Sequence, residues 1–283
     1  MFPLDPCLSD GLQRPYLPGS RDEALALLSE VHPVTLRRHD PDRYFCTLFA
    51  EAAKRDTLAV LYAFNHELAR APEAAREPGL ALIRLQWWRE VVEGADRAHE
   101  VAIPLRAALA GGQLQAGELR SMIEAREQEA EGGFDTLAAW HAWLQTGPGT
   151  LAVAAGRTLG APPEALDRLR RLGAGIGAAG ALRNVAAHAG QGRCLLPRDV
   201  LAAHGLSAEA VLADPASDQL RAVRATLAAE AARLLGEAEP CGRAWVAAGL
   251  PAVFARRDLR RQKPVRLVTD QVAVTLAAIR SIC

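Results

Sequence analysis

Apolar side chains recur at intervals of three and four residues along most of this chain. In residues 55–70 this spacing is set by Leu61, Phe64 and Leu68, and residues 80–94 repeat it. Because an α-helix has about 3.6 residues per turn, such positions share one helical face. The pattern therefore predicts amphipathic helices that bury one side against a core.

Further stretches share this helical pattern. They cover residues 104–111, 117–131, 134–145, 150–160, 163–189, 217–239 and 269–281. Breaks between them are predicted at Pro72, Pro78-Gly79, Gly111-Gly112, Pro162-Pro163, Pro197 and Pro264. Since the alternation typical of β-strands is nearly absent, the sequence predicts one all-α domain over residues 35–283. Residues 1–34 are expected to form a loosely ordered leader and a first helix.

Composition narrows the functional classes. Half of the 283 residues are apolar, which is enough for a sizeable core. Basic and acidic residues both number 33, so net charge gives no reason to expect a nucleic-acid partner. The five cysteines contain no CxxC pair, which favours neither a zinc site nor a disulfide framework and fits a reducing cytoplasm. No apolar run is long enough to predict a transmembrane helix, although a peripheral membrane contact stays open.

Three local motifs favour structural interpretations. Gly175, Gly177 and Gly180 match the dinucleotide-binding spacing GxGxxG, but that motif requires a preceding strand and the preceding residues are helical here. Small residues at these positions instead let two helices, or a helix and an elongated ligand, approach closely. Trp87-Trp88 is interpreted as core packing at a helix crossing. The charged run at residues 255–264 is interpreted as a solvated face, with an anionic lipid surface as the alternative.

Three segments together resemble the squalene/phytoene synthase family. They are residues 55–73, 121–132 and 182–197, and the resemblance extends over about residues 40–270. Its sharpest points are Tyr62-Ala63-Phe64 and the Gly192-Arg193 pair with Leu196-Pro197. The resemblance implies an isoprenoid-synthase-like helical bundle around a central apolar cavity. In the family, two aspartate-rich helical segments hold magnesium and prenyl diphosphates, which are joined head to head.

The aspartate positions of the family are mostly replaced here. The first segment falls on Ala69, Arg70 and Glu73, and only Glu73 keeps a carboxylate. The second falls on Asn184, Ala187 and His188, which have none. Magnesium needs converging carboxylates to neutralise a leaving diphosphate, and a guanidinium at residue 70 would repel the ion. Such degenerate motifs resemble the family branch related to the mitochondrial complex I assembly factor, as do "ELAR" and "IRLQWWRE".

Two hypotheses follow from the resemblance. In the first, the chain has lost magnesium-dependent prenyl transfer, has no catalytic or metal-ligating residues, and acts as a lipid-binding or respiratory-complex assembly protein. In the second, it is an active prenyl-diphosphate synthase of the squalene/phytoene type with a rearranged site, and only then is magnesium its cofactor. The expected location is cytoplasmic, with a contact peripheral to the inner membrane.

Loss of the aspartates makes the predicted cavity mouth basic. Guanidinium groups bind phosphate oxygens directly, so the expected partner is a prenyl phosphate or another anionic, lipid-like ligand, besides a subunit of a respiratory complex. The alternative is that these arginines pair with Glu67, Glu73 or Asp56 and bind nothing. The predicted ligand-binding residues are Arg55, Tyr62, His66, Arg70, Glu73, Arg183, Asn184, His188 and Arg193.

Overall fold

The computed structural model describes residues 36–73, 78–261 and 266–283. Across these ranges the regular secondary structure is helical, apart from one isolated antiparallel bridge between Pro240 and Ile282. The all-α prediction is confirmed. The predicted leader, residues 1–34, lies outside the described residues.

The α-helices differ widely in length. They are α1 (Pro41–Thr47), α2 (Ala52–Glu73), α3 (Pro78–Val92), α4 (Ala102–Ala110), α5 (Ala116–Ala130), α6 (Leu137–Leu144), α7 (Thr150–Leu159), α8 (Pro163–Arg183), α9 (Val185–Gly190), α10 (Arg198–Ala203), α11 (Ala208–Ala213), α12 (Asp218–Leu235), α13 (Val246–Gly249), α14 (Pro251–Arg261) and α15 (Val268–Arg280). A π-helical turn at Gln145–Gly149 joins α6 to α7.

The apolar spacing of the sequence corresponds to the buried faces of the helices. Leu61, Phe64 and Leu68 are all fully buried in α2. At the crossing of α2 and α3, the Trp88 ring lies 5.4 Å from the Phe64 ring and 4.8 Å from the Trp87 ring. The two tryptophans therefore pack at a helix crossing, as predicted.

Two helix boundaries differ from the predicted ones. Helix α2 includes Pro72 and ends at Glu73, one residue past the predicted break, because a proline in the last turn removes only one backbone hydrogen bond. The predicted helix 163–189 is interrupted at Asn184, which separates α8 from α9. The His188 amide still donates to the Asn184 carbonyl at 2.9 Å, so the two residues keep their helical spacing.

Helix α8 lies at the centre of the fold, against α7, α12, α14 and the π-helical turn. Its glycines make these contacts close. A Cβ on Gly177 would lie 2.3 Å from Pro148 Cγ, and one on Gly175 would lie 2.7 Å from Leu235 Cγ. Around Gly180, by contrast, a Cβ would meet nothing within 4 Å. Gly175 and Gly177 thus permit close packing, whereas Gly180 borders open space.

The charged run after residue 254 is not simply a solvated face. Residues 255–261 belong to α14, and within it Asp258 is 9% exposed. Neighbouring residues of this helix are also buried, among them Phe254 and Ala255. Within the described ranges, none of the helices combines the length and the apolar character that a membrane crossing requires.

Candidate functional site

A cavity of about 510 Å³ lies between α1, α2, α8 and α14, with contributions from α5, α6 and α9. Part of its lining is apolar and includes Trp143, Pro148, Leu151, Ile176 and Phe254. The open side of Gly180 faces this space. The central cavity of the predicted fold is therefore present, and charged side chains line it beside these apolar ones.

The cavity brings together part of the predicted ligand-binding set. Five of those residues line it: His66, Arg183, Asn184, His188 and Arg193. The His66 ring stacks on the His39 ring with centroids 4.5 Å apart. Glu73 ends α2, but its side chain lies outside the described residues.

Three predicted residues do not line the cavity. Arg55 donates to the carbonyl oxygens of Leu48 and Ala50, so it secures the loop before α2. Arg70 points outward, with its side chain 56% exposed, and pairs with Glu67 at 3.2 Å. Tyr62 is buried below the Arg43 guanidinium, and this burial raises the pKa of its phenol. For Arg70 the pairing with Glu67 is one that the sequence suggested.

A first charge cluster joins four side chains from distant parts of the chain. Arg266 donates from Nε to both carboxylate oxygens of Asp42, at 2.9 and 2.8 Å, and from Nη2 to Asp258 at 2.9 Å. Arg183 donates to Asp258 at 3.0 Å and lies 3.5 Å from Asp42. Burial disfavours the charged form of Arg266, but its hydrogen bonds to the two carboxylates outweigh this effect and raise its pKa. This cluster has two positive and two negative charges and is neutral overall.

A second charge cluster surrounds Glu129, whose side chain is 1% exposed. Its carboxylate accepts hydrogen bonds from Arg126 and Arg193, each at 2.6 Å, and from the Trp143 indole at 3.0 Å. Two guanidinium groups share one carboxylate, which leaves one positive charge. Within the described part of the chain, Arg193 Nε is buried and has no hydrogen-bond partner.

His188 lies beside this second cluster. Burial, and then repulsion from Arg193, lower its pKa to about 4, so the imidazole is neutral at pH 7. It therefore adds a hydrogen-bonding group and no charge to the cavity wall. A remaining ion pair, between Arg43 and Asp40 at 2.6 Å, has no net charge.

Sequence reasoning missed the carboxylates of the cavity. Asp40 lies directly before α1 and Asp42 lies within it. Glu129 comes from α5 and Asp258 from α14. Glu129 does lie in a segment that carried the family resemblance. The others had no local signal, since isolated aspartates beside arginines are also typical of exposed surfaces.

The described residues do not fit magnesium. At the family's aspartate positions, the cavity presents the methyl group of Ala69, the amide of Asn184 and the imidazole of His188. The four carboxylates that line the cavity each bind at least one arginine. No group of three or more Asp, Glu, His or Cys side chains in the described ranges is arranged to hold a metal ion. Magnesium prefers oxygen ligands that are free of competing cations.

Comparisons with solved structures agree with the all-α fold. The fold resembles a dehydrosqualene synthase crystallised with a ligand, with a TM-score of 0.73 and 14% identity over 91% of this chain and 97% of that one. It also resembles a squalene synthase from Alicyclobacillus acidocaldarius, with a TM-score of 0.63 and 16% identity over 91% and 95% of the two chains.

Sequence relatives lie in another branch. A Mus musculus protein named NADH dehydrogenase (ubiquinone) complex I, assembly factor 6, is 28% identical over 84% of this chain and 71% of its own length. The profile of squalene/phytoene synthases matches residues 36–281. This chain belongs to the squalene/phytoene synthase family.

Proposed function

We propose that this chain binds an anionic, lipid-like ligand in its cavity without a divalent cation, and that it serves in the assembly of a respiratory NADH dehydrogenase complex. Its location on this proposal is cytoplasmic and peripheral to the inner membrane. The ligand would place its tail along the apolar side chains of the cavity and its headgroup at the Glu129 cluster.

The observation that carries the ligand proposal is the excess positive charge at Arg126, Glu129 and Arg193. The Arg43–Asp40 pair and the cluster around Arg266 are both neutral. An anion therefore finds the strongest electrostatic attraction at the Glu129 cluster. Arg193 Nε is a buried donor without a partner in the described residues, and leaving such a donor unsatisfied costs about 1–3 kcal/mol. Because Nε itself is covered, an anion would be bound through the net positive charge of the two guanidinium groups. Asn184 and neutral His188 supply further polar groups to the same wall.

The assembly role is supported by the relatives. Curated proteins from Mus musculus and other animals that match this chain are named as assembly factors of complex I. The replaced aspartates favour a binding role over magnesium-dependent prenyl transfer, because charge neutralisation by the metal is central to that reaction.

The ligand proposal is tested by thermal shift with farnesyl diphosphate in excess EDTA. We expect stabilisation, and we expect less of it with farnesol or inorganic diphosphate, which supply only the tail or the headgroup. Arg193→Gln should raise the ligand concentration needed for half of the full stabilisation at least about tenfold, since it removes a charge-assisted contact. Arg70→Gln is the matched control, because its guanidinium lies outside the cavity and should leave the response unchanged.

Other results would contradict the proposal. Stabilisation that requires magnesium, together with a squalene- or phytoene-type product detected by mass spectrometry, would favour the synthase function. No stabilisation by any of the three compounds would remove the ligand proposal. The assembly role has its own test, the amount of assembled NADH dehydrogenase on native gels from cells lacking this gene.

A further inference from the structure

Helix α15 presents an apolar stripe to solvent. Five of the eight large apolar side chains that are exposed in the described part of the chain lie between residues 267 and 279. Four of them form the stripe: Val268, Val272, Leu276 and Ile279. At about 100° per residue these four fall within an arc of about 80° on the helix. The stripe points away from the buried face, on which Asp270 and Val274 lie.

Helices α14 and α15 expose arginines and no acidic side chain, although Glu239, next to the chain segment that follows α15, is exposed. The acidic residues of α14 and α15 are Asp258 and Asp270, and both are buried in ion pairs. Asp270 pairs with two arginines, Arg257 at 2.5 Å and Arg261 at 2.7 Å, so one positive charge remains there. Arg260 on α14 and Arg280 at the end of α15 are exposed.

We infer that the exposed stripe of α15 docks the protein on an anionic lipid bilayer, with the helix lying in the plane of the interface. A helix with an apolar face, arginines at its margins and no exposed acid fits the boundary between headgroups and acyl chains. A bilayer also conforms to the convex surface of a single helix, whereas a protein partner would need a matching groove. The inference rests on the membrane-peripheral location proposed above, and it is independent of the cavity ligand.

The docking face also places the cavity near the bilayer. Arg266 lines the cavity and lies directly before Leu267, the residue that caps α15. Helix α14 packs on α15 and contributes Phe254, Ala255 and Asp258 to the cavity wall. A membrane-bound protein would therefore hold its cavity one helix layer from the lipid surface.

The test is co-sedimentation of the full chain with vesicles of phosphatidylcholine alone or mixed with phosphatidylglycerol. We expect binding to the mixed vesicles, weakened by salt. Val272→Ser with Ile279→Ser should lower the partition coefficient at least about tenfold, because two apolar side chains leave the interface. Thr269→Ser with Gln271→Ser, exposed polar positions of the same helix, is the matched control and should bind as the parent does. Arg260→Gln with Arg280→Gln should reduce binding to mixed vesicles only.

Four results would overturn the inference. In vesicle binding, these are a Val272→Ser, Ile279→Ser variant that binds as well as the parent, or a parent that does not bind. Without vesicles, they are a lower melting temperature of this variant, or a dimer of the parent in light scattering that is absent for the variant. The third would mean that another segment of this chain covers the stripe, and the fourth that a second copy does. The same variants should keep the ligand-dependent thermal shift, so a failure here is distinguishable from a failure of the cavity proposal.

Discussion

Arg266 Nε donates hydrogen bonds to both carboxylate oxygens of Asp42, at 2.9 and 2.8 Å, although the two residues are 224 positions apart in the sequence. The pair ties α1, near the start of the described chain, to the segment that leads into α15. Since Asp258 and Arg183 join the same cluster, its integrity bears on both the fold and the shape of the cavity.

Asp42→Asn should destabilise the protein. It leaves Arg266 and Arg183 with only Asp258 as a counter-charge, and we expect a loss of about 1–3 kcal/mol in the free energy of unfolding, because the pair is only partly buried. Urea denaturation measures this. Asp96→Asn is the control, since Asp96 is 89% exposed and pairs with Arg106 at the surface. Its effect should stay within about 0.5 kcal/mol. Equal effects at both sites would contradict a structural role for the cluster.

Glu129→Gln should have opposite effects on stability and on ligand affinity. Removing a buried carboxylate between two arginines should cost about 2–4 kcal/mol of stability, because both guanidinium groups lose their counter-charge. The variant that remains folded should bind farnesyl diphosphate more tightly, since Arg126 and Arg193 are then free to contact the anion. Calorimetric titration checks the affinity. Glu124→Gln, exposed on the same helix, should change neither quantity. Weaker binding by Glu129→Gln would place the headgroup elsewhere.

The titration of His188 should appear in the pH dependence of stability. Burial, then repulsion from Arg193, lower its pKa from 6.5 to about 4 in the folded protein. Between these values the unfolded chain binds a proton that the folded one does not, so stability should fall as the pH decreases from about 6.5 to 4. The loss is at most roughly 3.5 kcal/mol, at about 1.4 kcal/mol per pKa unit. Denaturation at several pH values should show a smaller decrease for His188→Asn, and identical curves would refute this account.

Two glycines of α8 should respond in opposite directions to alanine. Gly177→Ala should destabilise the protein by about 1–3 kcal/mol, because the new methyl group would lie 2.3 Å from Pro148 Cγ. Gly180→Ala should instead add up to about 1 kcal/mol, since alanine is the better helix former and the Cβ meets nothing within 4 Å. Thermal denaturation compares them. Gly180→Ala should also weaken ligand binding because it narrows the cavity, and equal melting temperatures would count against both explanations.

Periodicity was sufficient to predict the long helices and their buried faces. In α2 and α3 the apolar spacing identified side chains that are buried, because the core accepts one face of each helix. Short helices such as α10 and α13 are too brief for the spacing to be recognised, and α14 was interpreted as a solvated charge run. Within α14, the consecutive residues Arg257 and Asp258 belong to different ion-pair networks. Only the tertiary structure shows which partners each of them has.

The candidate site was partly predictable for the same physical reason. His188, Asn184 and Arg193 line the cavity, as their helical spacing and the family resemblance implied. Arg70 was placed at the cavity by its motif position, yet it lies on the side of α2 that faces solvent, where it pairs with Glu67. The partners of the arginines, Asp42, Glu129 and Asp258, could not be assigned without the fold, since ion pairs across more than 60 residues have no local pattern.

The positive charge of the cavity belongs to guanidinium groups, which are bound covalently to the chain. A chelator cannot extract them, another ion cannot replace them, and they do not lose their proton at any physiological pH. Occupancy of the cavity would then vary with the supply of ligand and not with the metal content of the compartment. A protein of this kind can remain ready to bind when free magnesium is scarce.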